Sequence, residues 1–174
     1  MPEVSEIDVL VRIHDAAGAS VEDSFAMLDL ADQDWSVRLD ATWIVASTRR
    51  RRQRREHPRS PWCASGSRSW RGAAAAGDAA GTLPAGLRRA AGVTVLGREG
   101  GGGFTDGALV HSTEIGGTAV VGMWNAFGDW GAVTDAVSSR HPGAWIVGCE
   151  HGTRLDAALA AGFTAAGPLR IWRR

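Results

Sequence analysis

Lysine and tyrosine are missing from this chain of 174 residues, and all 19 of its Lys-or-Arg side chains are arginine. Set beside abundant alanine and 23 glycines, this is the composition a GC-rich genome writes. Cysteine is scarce as well. Cys63 and Cys149 supply neither a disulfide framework nor the paired C-x-x-C spacing of a structural zinc site, and they point to a reducing cytoplasm. No apolar run approaches the roughly 18 residues a membrane span needs. The opening MPEVSEIDVLVRIHD is acidic where a signal peptide is basic, so a cytosolic protein with no membrane partner is expected. Net charge is absent too: with 19 Lys+Arg against 19 Asp+Glu, no overall field gathers nucleic acid or anionic lipid. What is present is apolar bulk, since 44% hydrophobic residues in a chain of this length suffice for one domain, over 1–174, with a core of its own.

Periodicity organises both ends of the chain. Ile7, Val9, Val11 and Ile13 alternate with mostly polar neighbours and predict a first strand. Ser20 and Asp23 form an S-x-x-D cap, after which Val21, Phe25, Leu28 and Ala31 recur at helical spacing, widened by Met27 and Leu30; a helix over 21–32 is expected. Trp35, Val37, Leu39, Ala41, Trp43 and Val45 then occupy odd positions, as one long strand or two short ones meeting at Asp40. Further on, Val93, Val95 and Leu96 make a short strand running into Gly100–Gly103, a flexible turn. ALVHSTE and TAVVGMWN flank Ile115-Gly116-Gly117, a hairpin signal. Asp129 is placed to cap a helix over 129–140 with Trp130, Val133 and Val137 on one face, stopped by His141-Pro142-Gly143. WIVGCE reads as a short buried strand, Thr153 with Asp156 as the cap of a helix over 154–161, and 169–172 as a final strand. The fold class expected is α/β, in its α+β form: a mixed, largely antiparallel central sheet flanked by helices, with an irregular middle segment.

That middle segment, 48–90, sustains neither period and contains RRRRQRREHPR from Arg49. Clustered arginine would serve as an arm for phosphates, releasing counterions from a nucleic-acid backbone, or would be a solvated loop. Neither reading explains why a sheet breaks off to admit Arg, Pro, Ser and an Ala-Gly tract. The genetic code does. An arginine codon CGN read two bases later becomes NCG, which encodes Ala, Pro, Ser or Thr. The same shift lets WCASGSRSW, Trp62 to Trp70, read Val-Arg-Val-Arg-Glu-Pro-Val-Val, which alternates like a strand. Residues 48–90 are therefore expected to be irregular or disordered and translated out of frame, Trp62 and Trp70 to be products of the shift, and nucleic acid not to be a partner.

The tail carries a resemblance. GTAVVGMWNAFGDWGAVTDAVSSRHPGAWIVGCEHGTRLDAALAAGFTAAGPLRIWRR, about a third of the chain, resembles the C-terminal half of the GNAT acetyltransferase family, above all in its LDAALAAGFTAAGPLRIW ending. The resemblance implies an acyl-CoA-dependent N-acyltransferase using acetyl-CoA, with a splayed sheet holding the thioester. The acceptor would be a small-molecule amine, or the N-terminal or side-chain amine of a protein. In the family a strand leads into a Q/R-x-x-G-x-G/A loop whose backbone N–H groups, at a helix N-terminus, hold the cofactor's pyrophosphate. That loop falls on NAFGDWGAV, which makes Asn125, Gly128 and Gly131 the expected cofactor-binding residues. The departures are specific: Asn125 replaces Gln or Arg, Trp130 stands where a small residue belongs, Gly131 comes one position late, and Asp129 sets a carboxylate where the phosphate would lie. REGGGG from Arg98 satisfies R-x-x-G-x-G literally, but no amphipathic helix follows it.

The general acid in this family is commonly tyrosine, so that role would pass to Cys149 or a water. Glu114, in the first hairpin strand, and Glu150, ending WIVGCE, are the carboxylates best placed as a base toward an amine. Cys149 with His151 invites a nucleophile and base, yet Gly152 shows the chain already turning, and a buried structural thiol is expected. His111, His141 and His151 have no ligand spacing, so no metal is expected. Trp35, Trp43, Trp124 and Trp145 fall on strands and are expected in the core, while Trp130 and Trp172 would line a cleft or join that core. The missing tyrosine and Asp129 support an alternative function, a catalytically inactive GNAT-like domain that binds a small molecule or a partner chain.

Overall fold

A computed structural model describes residues 17–48, 62–64, 92–100 and 103–174. Its strands are β1 (Ser20–Asp23), β2 (Ser36–Ser47), β3 (Trp62–Ala64), β4 (Val93–Gly100), β5 (Gly103–Ile115), β6 (Thr118–Phe127), β7 (Trp145–Glu150) and β8 (Thr164–Arg173). Helix α1 spans Trp130–Arg140 between β6 and β7, and α2 spans Gly152–Ala160 between β7 and β8. The strands form one sheet in the order β1-β8-β2-β7-β6-β5-β4-β3. Among the described strands only β6 and β7 pair in parallel, joined by a crossover through α1, while β7 and β8 run parallel on either side of β2, joined by a crossover through α2. The mixed, largely antiparallel sheet with flanking helices is the fold expected from the periodicities.

Local chemistry explains the parts that match. Gly116 and Gly117 both take positive φ, +56° and +77°, as a two-residue hairpin between right-twisted strands requires. Asp129 caps α1, its carboxylate accepting from the Ala132 N–H at 3.1 Å, and Val133 and Val137 of that helix are fully buried. The core gathers on the face that carries both helices: Ile44, Leu96, Val110, Val121, Met123 and Ile146 from the sheet meet Trp130, Val133 and Val137 from α1 and Ala158 from α2. Trp130 stands edge-on to Phe163 at 5.6 Å between ring centroids, tying α1 to the turn before β8. A smaller cluster of Val21, Leu30, Trp35 and Trp172 closes the β1–β8 end.

Several expectations are corrected. No helix forms over 21–32: Ser20–Asp23 pairs with β8, and a 3-10 turn at Ala31–Gln33 follows. The Asp23 carboxylate accepts from the N–H groups of Phe25 (3.3 Å) and Leu28 (2.8 Å), and such local side-chain bonds compete with a helix. The expected stripe is not a stripe, since Phe25 and Met27 are exposed. In β2 the inward residues are Ile44 and Ala46, not Trp43 and Val45. Arg38 is the extra residue of a bulge between Val37 and Leu39, and one extra residue sends every later side chain to the opposite face. Trp124 and Trp145, expected in the core, are exposed; Trp130 and Trp172 join the core, one of the two places expected for them. Helix α2 begins at His151 with no side-chain cap, so the Thr153–Asp156 cap is not made. Strand β4 runs on to Gly100 and pairs it with Gly103.

The strand expected over 7–13, the arginine run and most of 48–90 lie outside the described residues. Within that segment, Trp62–Ala64 forms an edge strand on β4; Trp62 packs against the core, with the Arg98 guanidinium 5.8 Å from its ring centroid and Arg140 donating to its carbonyl at 2.9 Å. Among the described residues no helix is long and apolar enough to cross a membrane.

Candidate functional site

The parallel ladder between β6 and β7 holds for three pairs only, Val120–Trp145, Val121–Ile146 and Gly122–Val147. Beyond it the two strands continue without pairing to each other. A Cβ on Gly148 would lie 2.8 Å from the Met123 carbonyl, so glycine alone permits the last close approach. A register shift against β5 follows, and Asn125 takes φ +48°, a left-handed conformation that asparagine tolerates better than most residues. The result is a wedge between the ends of β6 and β7, with the strand-to-helix loop at its mouth. The loop at its mouth is where the family resemblance put the pyrophosphate.

Arg154, in the first turn of α2, spans the wedge. Its Nη2 donates to the Ala126 carbonyl at 2.7 Å and to Glu150 Oε1 at 3.3 Å, and its Nε lies 3.0 Å from Glu150 Oε2 as an ion pair without hydrogen-bond geometry. Glu150 is 8% exposed. Burial pushes its carboxyl above the ordinary value even though Arg154 pulls the other way.

The loop mouth is filled in the same manner. Asp106 on β5 is buried, and its carboxylate accepts from the Asp129 N–H at 2.6 Å, the Thr105 hydroxyl at 2.6 Å and Arg98 Nε at 2.7 Å, with Arg98 Nη2 also in ion-pair contact. Burial raises the Asp106 carboxyl, but Thr105, the Asp129 N–H and Arg98 together outweigh it and hold the group below its ordinary value. Gly128 makes this contact possible: at φ +78°, any Cβ there would fall 2.5 Å from Asp106 Oδ1 and from the Thr105 carbonyl. Two carboxylates thus cover the start of α1, Asp106 on the Asp129 N–H and Asp129 on the Ala132 N–H.

Asn125, Gly128 and Gly131 all lie on this loop or in the first turn of α1, and Glu150 lies in the wedge. Glu114 does not join them. It pairs with Ala119 near the hairpin turn, while the wedge end of β5 is at Gly107, opposite Phe127. Arg98 is bound to Asp106 in a hairpin, and a strand, not a helix, follows its glycines. The Cys149 thiol is half-buried, and burial, then the charges of Glu150 and Glu22, push it up, away from thiolate reactivity. Asp106 is the residue that sequence reasoning missed. In the β4–β5 register Arg98 stands opposite Asp106, a cross-strand pair of opposite charges. Among the described residues no three or more His, Cys, Asp or Glu side chains converge as a metal site.

No protein-family model matches the chain, and no curated protein matches it in sequence. Among solved structures it is similar to the crystal structure of a GCN5-related N-acetyltransferase from Sphaerobacter thermophilus, with TM-score 0.51 and 11% identity over 97% of this chain and 63% of that one. The chain therefore spans less than two thirds of that acetyltransferase's length. At this identity the likeness is one of fold: the chain has a GNAT-like fold.

Proposed function

We propose that this chain is a GNAT-like domain that does not carry out acyl-CoA chemistry and serves as a binding module. The observation that carries the reading is the Asp106 carboxylate on the Asp129 N–H at 2.6 Å, with Asp129's own carboxylate on the Ala132 N–H. The loop that would cradle a pyrophosphate is occupied by the protein's own anions, and the residues do not fit acetyl-CoA. Magnitudes decide the competition. A helix N-terminus attracts a negative charge by about 0.3–1 kcal/mol. Displacing Asp106 forfeits hydrogen bonds to a charged group, each about 1.5–3 kcal/mol, and sets a phosphate beside an exposed Asp129 that repels it. Arg154 adds a second obstruction, since a thioester entering the wedge has to displace its bonds to Ala126 and Glu150.

The N-acyltransferase reading, with Glu150 as base toward a small-molecule or protein amine, requires both contacts to open. Calorimetric titration of the native protein with acetyl-CoA separates the two: no saturable heat is expected. Asp129→Gly alone is expected to improve affinity by no more than about 0.3–1 kcal/mol, because Asp106 still holds the loop. Saturable binding by the native chain, with acetyl transfer to an amine, would restore the enzyme.

A further inference from the structure

We infer that the short edge strand β3 is a strap that holds the loop at the start of α1 closed, acting through a row of three side chains, Trp62, Arg98 and Asp106. The meaning of that closure, exclusion of a phosphate from the loop, rests on the reading proposed above; the coupling itself does not.

Register makes the row. Trp62 of β3 stands opposite Arg98 of β4, and Arg98 stands opposite Asp106 of β5. Directly opposed residues share a face of the sheet, so the three side chains line up across three strands, spanning about 10 Å at ~4.8 Å per strand. Their face is the one that carries the helices, since Trp62 packs against the main core. Each member touches the next. The Arg98 guanidinium carbon lies 5.8 Å from the Trp62 ring centroid, within cation–π reach, and Arg98 Nε donates to Asp106 at 2.7 Å. Asp106 in turn accepts from the Asp129 N–H at 2.6 Å. The far end of α1 closes the circuit, because Arg140 in its last turn donates to the Trp62 carbonyl at 2.9 Å. One residue of β3 is thus tied to both ends of the helix.

Of the three strands in the row, β3 is the one most easily lifted. It is three residues long, stands at the end of the strand order and meets β4 at three positions, whereas β4 meets β5 at eight. Local opening costs least where few backbone bonds hold an element, so β3 leaves β4 before β4 leaves β5. Lifting it frees Arg98. That side chain is 33% exposed, and without the indole beneath it the guanidinium regains rotamers that point to solvent. Asp106 is then a buried carboxylate without its guanidinium, which is costly to keep charged in place. It turns out of the loop or takes up a proton, and either change weakens its hold on the Asp129 N–H. Trp62 is therefore a positioning residue that acts on the loop through Arg98, and the loop's state is set from the edge of the sheet.

Amide hydrogen exchange of the full chain, read by NMR at the Asp129 N–H, tests the coupling. Trp62→Leu keeps an apolar side chain for the core but removes the ring. The Asp129 N–H should then exchange about fivefold faster, the scale of one cation–π contact, while amides of the β2–β7 ladder keep their rates. Trp62→Phe retains a ring face and should restore most of the protection. In an Asp106→Asn background Trp62→Leu should leave the Asp129 rate unmoved, since no charge remains for Arg98 to hold. Should Trp62→Leu unfold the chain, Arg140→Met loosens β3 from its carbonyl side, with no core side chain altered, and should move the Asp129 amide in the same direction. The proposal is overturned by an Asp129 amide indifferent to Trp62→Leu and Arg140→Met, by equal acceleration of the β2–β7 amides, by Trp62→Phe behaving like Trp62→Leu, or by an effect that survives in Asp106→Asn. Acetyl-CoA titration is independent: saturable binding by the native chain sinks only the inactive-domain reading, and an indifferent Asp129 amide sinks only the coupling.

Discussion

The starts of the two helices solve the same problem in opposite ways. Each helix follows a strand end that carries a buried carboxylate nearby: Asp106 at α1 and Glu150 at α2. At α1 the carboxylate is saturated by a backbone N–H, a hydroxyl and a guanidinium, so it is held ionised, below its ordinary range. At α2 burial prevails over the attraction of Arg154 and of His151, lifting the group above its ordinary range, and no side chain caps the helix. Burial alone therefore does not say which form of a carboxylate the fold favours; the number and kind of donors does. The α1 site behaves as a permanent structural anion, and the α2 site as an adjustable clasp.

Removing each carboxylate's setting should expose that difference. Asp106→Ala is the largest expected effect. It removes the acceptor that Arg98, the Thr105 hydroxyl and the Asp129 N–H share, and hydrogen bonds to a charged group at about 1.5–3 kcal/mol each make a loss of about 3–5 kcal/mol; urea denaturation measures it. A loss below about 1 kcal/mol, the value of an ordinary surface pair, would show that the network is decorative. Arg154→Ala should cost less, about 1–3 kcal/mol, because Glu150, already raised by burial, can take up a proton once unpaired. The loss should shrink on acidification, and a pH-independent loss would assign the effect to packing of the Arg154 stem instead.

How much of this was legible follows the range of the interactions. Asp129 as a cap and Gly116-Gly117 as a turn rest on chemistry within four residues, and both were open to reading. So was the order hairpin, helix, strand, helix, strand of the tail, where each element carries its own period. The segment from Val21 was not. Its helical spacing is real, but the edge of β8 recruits it through Ser20–Arg173 and Val21–Trp172, partners at the far end of the chain. Strand β2 likewise sits between β7 and β8, and a bulge at Arg38 that no periodicity reveals decides its inward face. Glu150 was found because it ends a strand, whereas its clasp with Arg154 needed the divergence of β6 and β7. Asp106 went unseen because its role depends on how β5 passes under Gly128.

Asp129→Ala tests the exposed half of the α1 arrangement. The cap bond to Ala132 is lost while Asp106 still holds the Asp129 backbone, so a loss of about 1 kcal/mol is expected, within the usual 0.5–2 for a cap. An effect as large as that of Asp106→Ala would mean that the two carboxylates act as one unit, and the double variant would then add little to either single one.

The smallest effect concerns the sign of the pH dependence. Asp106, lowered on folding, contributes stability that is present above its unfolded value near 3.9 and is lost as pH falls through its folded value. Glu150, raised on folding, contributes in the other sense: its share is fully present below its unfolded value near 4.3 and is lost as pH rises through its folded value. Glu150→Gln keeps the shape, stays neutral and retains an acceptor for Arg154. Relative to native protein it should therefore gain a few tenths to about 1 kcal/mol, the scale of a partly screened pair, as pH rises from about 4 through the weakly acidic range. Asp106→Asn should show the reverse trend, losing stability relative to native protein as pH rises from acid. Thermal midpoints across pH for the two variants provide the comparison. If Glu150→Gln instead loses ground with rising pH, the attraction of Arg154 exceeds the cost of burial, and the clasp at α2 is a fixed ion pair like its counterpart at α1.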